Sequence, residues 1–154
     1  MRFQIGQQNQ NYTEAFTEIA PVQNTLDATT ASSNKTFTVP NGEMWVLNWA
    51  SVTLTSTATV GNRQIVMQVL NAAGTAIIDM RAGAVQAASL TYVYDFLQGI
   101  YRETAFTANE IQVPVPTDLY LPSGYSLKFY DSAAIAPAAD SMTVAFQVKQ
   151  YKGA

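Results

Sequence analysis

The sequence predicts an all-β chain: a jelly-roll-like antiparallel β-sandwich of about eight strands behind an extended N-terminal arm. Three observations carry that prediction. From Lys35 onward, apolar residues recur with a period of two, as where Met142, Val144, Phe146 and Val148 alternate with Thr143, Ala145, Gln147 and Lys149. Such alternation gives a strand one buried face. Turn formers punctuate the runs at Pro40-Asn41-Gly42, Gly61-Asn62, Ala73-Gly74, Gln98-Gly99 and Pro122-Ser123-Gly124, where proline presets φ and glycine takes backbone angles closed to other residues. No stretch of helical length carries an amphipathic stripe, and β-branched and aromatic residues fill the runs.

Residues 1–34 read as the arm. They are rich in Gln, Asn and Thr, with isolated apolar residues Phe3, Ile5, Tyr12, Phe16, Ile19 and Leu26, anchors spaced to dock on this subunit or on a neighbour. Residues 35–154 read as the sandwich. Its first long strand lies in VPNGEMWVLNWASVTLT, residues 39 to 55. There Trp45, Leu47 and Trp49 share one phase while Val52 and Leu54 take the other, which predicts a β-bulge near Ser51. Ile65, Met67 and Val69 form a second set, Leu90, Tyr92, Tyr94 and Phe96 a third, and Leu127 and Phe129 begin a fourth. Val39-Pro40-x-Gly42 and Leu121-Pro122-x-Gly124 echo one another. Each opens a strand, then a polar loop, then a return strand, beginning near Arg63 in the first case and after Asp140 in the second. Two such hairpins fit a fold of two Greek keys.

Composition narrows the function. Apolar residues make up 48% of the 154-residue chain, normal for one globular domain, but charged residues only 12%, against roughly 25% in typical soluble proteins. A neutral polar skin suits a protein packed against neighbours. The basic residues are scattered and net charge is −3, so nucleic acid is not an expected partner. The uncharged span between Glu43 and Arg63 is long enough to cross a bilayer, but Asn48, Ser51, Thr53, Thr55, Ser56, Thr57 and Thr59 interrupt it. It reads as strand and loop, and no membrane partner is expected. The N-terminal MRFQIGQQNQN lacks the apolar run of a signal peptide.

The chain has no histidine and no cysteine, which removes the usual general base, the thiol nucleophile and most zinc sites. Ser32-Ser33-Asn34-Lys35 matches S-x-x-K without its companion motifs. Asp79, Asp95, Glu103, Glu110, Asp118, Asp131 and Asp140 are spread over separate strands and turns, with nothing to select a glycosidase pair. The loop from Asp131 to Asp140 stays open as a calcium loop, although no Asp-x-Asp spacing recommends it. No catalytic residue, cofactor or metal is expected.

Two strands are apolar on both faces: residues 44–50, and 90–97, where Val93 and Leu97 oppose the tyrosines. Strands of that kind are covered on both sides, whereas a sandwich covers only its inner faces, so another copy of the chain is the expected cover. The expected interface residues are Phe3, Ile5, Tyr12, Phe16 and Ile19 on the arm, with Arg63, Val93, Leu97, Tyr101 and Tyr120 on the body. Tyr101, Tyr120, Tyr125 and Tyr130 lie near turns, placed for subunit contact or as sugar platforms. Trp45 and Trp49, sharing one strand face, suit burial in a core or an interface better than exposed sugar stacking.

Taken in order, VPNGEMWVLNWASVTLT, TATVGNRQIVMQVLNAAG, AASLTYVYDF, LPSGYSLKFYDSAA and ADSMTVAFQVKQY resemble a group of small structural proteins of tailed bacteriophages. The resemblance covers residues 35 to 151 and brings no active site. It implies a non-enzymatic virion protein, assembled in the host cytoplasm, serving as a capsid decoration or cement subunit or as a neck or tail ring component. It also implies a homo-oligomer, often a trimer, contacting the major capsid protein or other virion proteins. In Val60-Gly61-Asn62-Arg63 the arginine starts the next strand, either solvated or available for an inter-subunit ion pair. A carbohydrate-binding module for host-surface glycans is the alternative from another class.

Overall fold

Residues 16–27, 34–100 and 104–153 are described by the structure, a computed structural model; side chains are described for 27, 34–100 and 107–152. The strands are β1 (Phe16–Asp27), β2 (Asn34–Thr38), β3 (Glu43–Thr55), β4 (Ile65–Leu70), β5 (Ala76–Arg81), β6 (Thr91–Leu97), β7 (Thr104–Thr107), β8 (Glu110–Pro114), β9 (Leu119–Leu121), β10 (Ser126–Asp131) and β11 (Ser141–Gly153). They form two sheets, and no helix interrupts them among the described residues.

The smaller sheet runs β2-β10-β4-β5, and the larger begins β1-β11-β3-β6. Those eight strands, four to a sheet with the chain passing back and forth between sheets, are a jelly roll. Three strands are added between β6 and β10. β8 pairs with β6 and β7 with β8, extending the larger sheet, while β9 takes the Trp45–Leu47 stretch of β3 that β6 does not reach. The β6–β8 pairing is parallel, a departure from the wholly antiparallel expectation.

The two proline-glycine segments are corners rather than hairpin turns. Pro40–Gly42 carries the chain from β2 in the smaller sheet to β3 in the larger, and Pro122–Gly124 carries it from β9 in the larger to β10 in the smaller. The corners lie side by side: Val39 N donates to the Tyr125 carbonyl at 2.8 Å, Gly124 N to the Val39 carbonyl at 3.1 Å, and Gly42 N to Ser123 Oγ at 3.2 Å. The predicted return strands change sheets too. β3 and β4 lie in different sheets, as do β10 and β11, so each expected hairpin is an arch across the sandwich. A hairpin would leave one face of both strands exposed, whereas an arch lets both close on one core.

That core is aromatic at its centre. Phe37 of β2 and Phe129 of β10 meet at 6.1 Å between ring centroids. Across the sandwich Phe37 packs edge-on against Phe146 at 4.8 Å, and Phe129 against Phe96 at 6.0 Å. Trp45 lies tilted over Phe146 at 6.0 Å. Leu47, Val52, Leu54, Ile65, Met67, Leu121, Leu127, Met142 and Val144 are among the aliphatic residues buried around them.

The phase change in β3 is real but sits earlier than predicted. Gln147 pairs with Trp49 and the next residue, Val148, with Leu47, so Asn48 is the extra residue. Its side-chain amide donates to Gln147 Oε1 at 3.0 Å, which holds the bulge. The bulge separates the two tryptophans. Trp45 and Leu47 face the core and Trp49 faces outward, correcting the expectation that both indoles share a face.

The expected arm is also shorter than 1–34. Residues 16–27 are β1, the first strand of the jelly roll, paired along β11 with register shifts at Ile19 and before Gln23. The sandwich therefore takes in both Phe16 and Ile19. At its end the Asp27 carboxylate lies 3.4 Å from Lys35 Nζ, linking β1 to β2 across the two sheets.

Candidate interaction surface

The larger sheet has an outer face that no described part of the chain covers. Cross-strand register arranges its side chains in rows. Gln147, Trp49, Leu97 and Pro114 make one, and Ala145, Ser51, Asp95 and Gln112 the next. Thr143, Thr53, Val93 and Glu110 make the third. Toward the proline-glycine corners, Tyr120, Val46 and Lys149 continue the face. Trp49, Val93 and Leu97 are half-buried, and Tyr120 is 56% exposed. Its polar members are Ser51, Thr53, Gln112, Thr143 and Gln147, and Asp95, Glu110 and Lys149 place charges on it.

Three of the expected interface residues, Val93, Leu97 and Tyr120, are thus brought together on one face. Trp49 joins them. Its outward direction was hidden in the sequence because the bulge reverses the phase within two residues. Phe3, Ile5, Tyr12 and Tyr101 lie outside the described residues, and Phe16 and Ile19 are placed only along the β1 backbone.

Arg63 belongs elsewhere. It is fully buried, and its ion pair is made within its own chain, which corrects both the solvated and the inter-subunit readings. Nε donates to Asp140 Oδ2 at 2.8 Å and Nη2 to Oδ1 at 3.1 Å. Nη1 donates to the carbonyls of Thr59 and Gly61 at 2.8 and 2.7 Å, and Nη2 also reaches Thr57 Oγ1 at 3.3 Å. All five guanidinium hydrogens are engaged. The residues that lie just before the two echoed return strands are therefore partners, and their bond ties the β3–β4 arch to the β10–β11 arch.

Burial by itself would raise the Asp140 pKa. The hydrogen bonds from Arg63 and from the amide and hydroxyl of Thr57, together with the Arg63 charge, outweigh it and hold the carboxyl below its ordinary value. Beside this pair, Gln86 Nε2 donates to the carbonyls of Leu54 and Leu90 at 3.0 and 2.7 Å, and its Oε1 accepts from the Tyr94 hydroxyl at 3.2 Å. Asp131, the third buried polar anchor, accepts from the amides of Gln64, Ala133 and Ile135 at 2.8, 3.0 and 3.1 Å. The carboxylates of Asp131 and Asp140 thus face N–H donors, an arrangement that suits the loop between them to self-capping and leaves it no anionic cage for calcium.

Gly61 holds φ at +142°, and a Cβ built there would lie 2.9 Å from Ile135 Cδ1. Gly61→Ala is expected to destabilise the protein by more than about 1 kcal/mol, read as a lowered urea midpoint at unchanged slope. An unchanged midpoint would show that the arches tolerate rearrangement.

No group of three or more Asp or Glu side chains is placed to hold a metal ion among the described residues, and no helix among them is long and apolar enough to cross a membrane. No buried side-chain nitrogen or oxygen among them lacks a hydrogen-bond partner.

No protein-family model matches the chain, and no curated protein matches it. Among solved structures, the chain is similar to that of infectious bursal disease virus, Gx strain, at 10% identity and a TM-score of 0.32, over 87% of this chain and 37% of that one. It is similar to the VP2 subviral particle of the same virus at 10% identity and a TM-score of 0.28, over 86% of this chain and 33% of that one. The chain spans about a third of the length of those viral chains. Overlap of that size carries no function across, and the jelly roll stands on its strand order.

Proposed function

We propose that this chain is a non-enzymatic structural protein of a virion, a decoration or cement subunit on the head of a tailed bacteriophage, located in the virion after assembly in the host cytoplasm. The observation that carries the reading is the outer face of the larger sheet, which no described part of the chain covers and which brings together Trp49, Val93, Leu97 and Tyr120. Such a face binds another protein surface by apolar burial at these four side chains. Hydrogen bonds come from the Thr, Ser and Gln between them, and Asp95, Glu110 and Lys149 are available for charge pairing. The resemblance of residues 35–151 to tailed-phage structural proteins supplies the partner: the major capsid protein, with other virion proteins next. Repetition over a shell lets contacts of modest area act together.

The test is addition of purified protein to expanded shells that lack it. Trp49 supplies the readout. In free protein its emission should be quenched by acrylamide while that of Trp45 is protected, and on shells Trp49 should become protected as well. Protein that does not bind, or binds with Trp49 still quenchable, would remove the outer face from the mechanism. A second arm deletes residues 1–15, which leaves β1 in place. If those residues lace subunits together, shell occupancy falls while the sandwich stays folded; unchanged occupancy would count against lacing.

A neck or tail ring component is the nearest alternative, and particles carrying one small fixed number of copies would favour it. The half-exposed Trp49 also suits a sugar platform. Tryptophan emission that shifts on titration with host-surface glycans would support that reading over the shell.

A further inference from the structure

Three of the described connections lie at the end of the jelly roll opposite the proline-glycine corners: residues 56–64 from β3 to β4, 82–90 from β5 to β6, and 132–140 from β10 to β11. They are tied into one surface. Arg63 and Asp140 bond the first to the third, and the backbones of Arg63 and Gln86 pair the first with the second. Ser56 Oγ adds a bond to the Ala87 carbonyl at 2.7 Å.

The only ionisable residues in these connections are Arg63 and Asp140, both buried and facing one another. These three connections therefore present no charge to solvent, the nearest exposed charge along the chain being Arg81 at the end of β5. What they present is mainly apolar: Val60 is 90% exposed, Val85 49% and Leu90 38%, with Ala58, Ala87, Ala133, Pro137 and Ala138 exposed around them, beside the polar Thr59, Asn62 and Ser89. Of the large apolar side chains left exposed among the described residues, only Ile77 and Tyr120 lie elsewhere.

We propose that this loop end is a self-association surface, where a second copy of the chain docks loop end to loop end. The charge distribution selects that occupant. The chain carries a net charge of −3, so two copies repel over most approaches, and contact through these connections opposes or desolvates no charge of their own. The other occupants lack a handle. A bilayer is held by exposed Trp, Tyr, Lys or Arg at its interface, a glycan by exposed aromatic rings, and phosphate by exposed cations. None of these is exposed on the three connections.

The surface is also rigid before contact. Arg63, Gln86 and Asp131 each pin one connection from below. Ser89, Ala134 and Ala136 hold φ at 60°, 52° and 44°, values that residues other than glycine keep only when their surroundings dictate them. Alanine has no rotamer freedom to lose on burial, so little order must be created when two such ends meet. The proposal uses a different surface from the shell-facing sheet and stands or falls apart from it.

Sedimentation velocity of the full chain at rising concentration tests it. Wild type should sediment as an oligomer. Val60→Asp combined with Val85→Asp should weaken association by about a hundredfold or more through buried like charges, with an unchanged far-ultraviolet spectrum. Ile77→Asp, on an exposed position of β5, should associate as wild type does. The chain has no cysteine, so Val60→Cys labelled with pyrene gives a second reading: excimer emission that grows with concentration, absent from labelled Ile77→Cys. A monomeric wild type at every concentration overturns the proposal, as does a double variant that associates normally or an Ile77→Asp that dissociates equally. Flotation of wild type, but not of the double variant, with neutral phosphatidylcholine vesicles would assign the loops to a bilayer and overturn it too.

Discussion

Arg63→Met is expected to lower the unfolding free energy by about 3–5 kcal/mol, because it strands the Asp140 carboxylate in a buried site. For a chain of this size that corresponds to roughly 2–4 °C of melting temperature per kcal/mol. The loss has two sources. Asp140 gives up both guanidinium contacts, and the carbonyls of Thr59 and Gly61 lose the donor that holds the β3–β4 arch. Replacing Asp140 by leucine in the same chain removes the stranded charge but leaves those carbonyls unpaired, so recovery should be partial. Complete recovery in the double variant would mean that the ion pair is dispensable to the arches.

The same pair sets the acid behaviour. Native Asp140 binds its proton less readily than the unfolded residue, so its contribution is complete at neutral pH. It should fade as pH falls from the free aspartate value of about 3.9 toward the lower native one. Urea denaturation in steps through that range should show wild-type stability falling more steeply than that of Asp140→Asn. Parallel curves would place the acid sensitivity on other carboxylates.

Phe129→Ala is expected to destabilise by about 3–5 kcal/mol, from lost transfer energy and the cavity left behind. Phe129 is fully buried and lies against Phe37 in its own sheet and Phe96 in the other, so truncation opens the contact between the sheets. Unlike the Arg63 variant, it should lose the same amount at every pH where the fold survives. A loss under about 1 kcal/mol would mean that the core collapses to refill the space.

Much of the architecture was readable in the chain. The period-two runs found every strand they were applied to, because alternation reports a single buried face whichever sheet a strand joins. The five turns named from glycine and proline all hold a glycine at positive φ, at Gly42, Gly61, Gly74, Gly99 and Gly124. β1 was missed as a strand of the body. Its polar composition offers no clean alternation, and pairing with β11 across more than a hundred residues of sequence leaves no local trace. The bulge was legible as a phase change but not as a position, since Asn48 and Ser51 are both polar neighbours of the break, and only the pairing with Gln147 and Val148 decides between them.

The surface divides the same way. Val93 and Leu97 stood out because an apolar residue in the outward phase is visible in one strand alone, and Tyr120 because it lies beside a turn. Arg63 did not declare itself, since an arginine beside a glycine turn looks the same whether solvent or a carboxylate from a distant loop receives it. By itself the sequence determined an all-β, charge-poor chain lacking histidine and cysteine, with apolar residues on both faces of two strands. Those are properties of local spacing and composition. Only the tertiary structure decided that the echoed segments are arches, that Arg63 and Asp140 within them bond one another, and that the exposed large apolar side chains among the described residues, Ile77 apart, gather on one sheet face and one loop end. Each of those depends on which distant segments meet, and local periodicity carries no record of that.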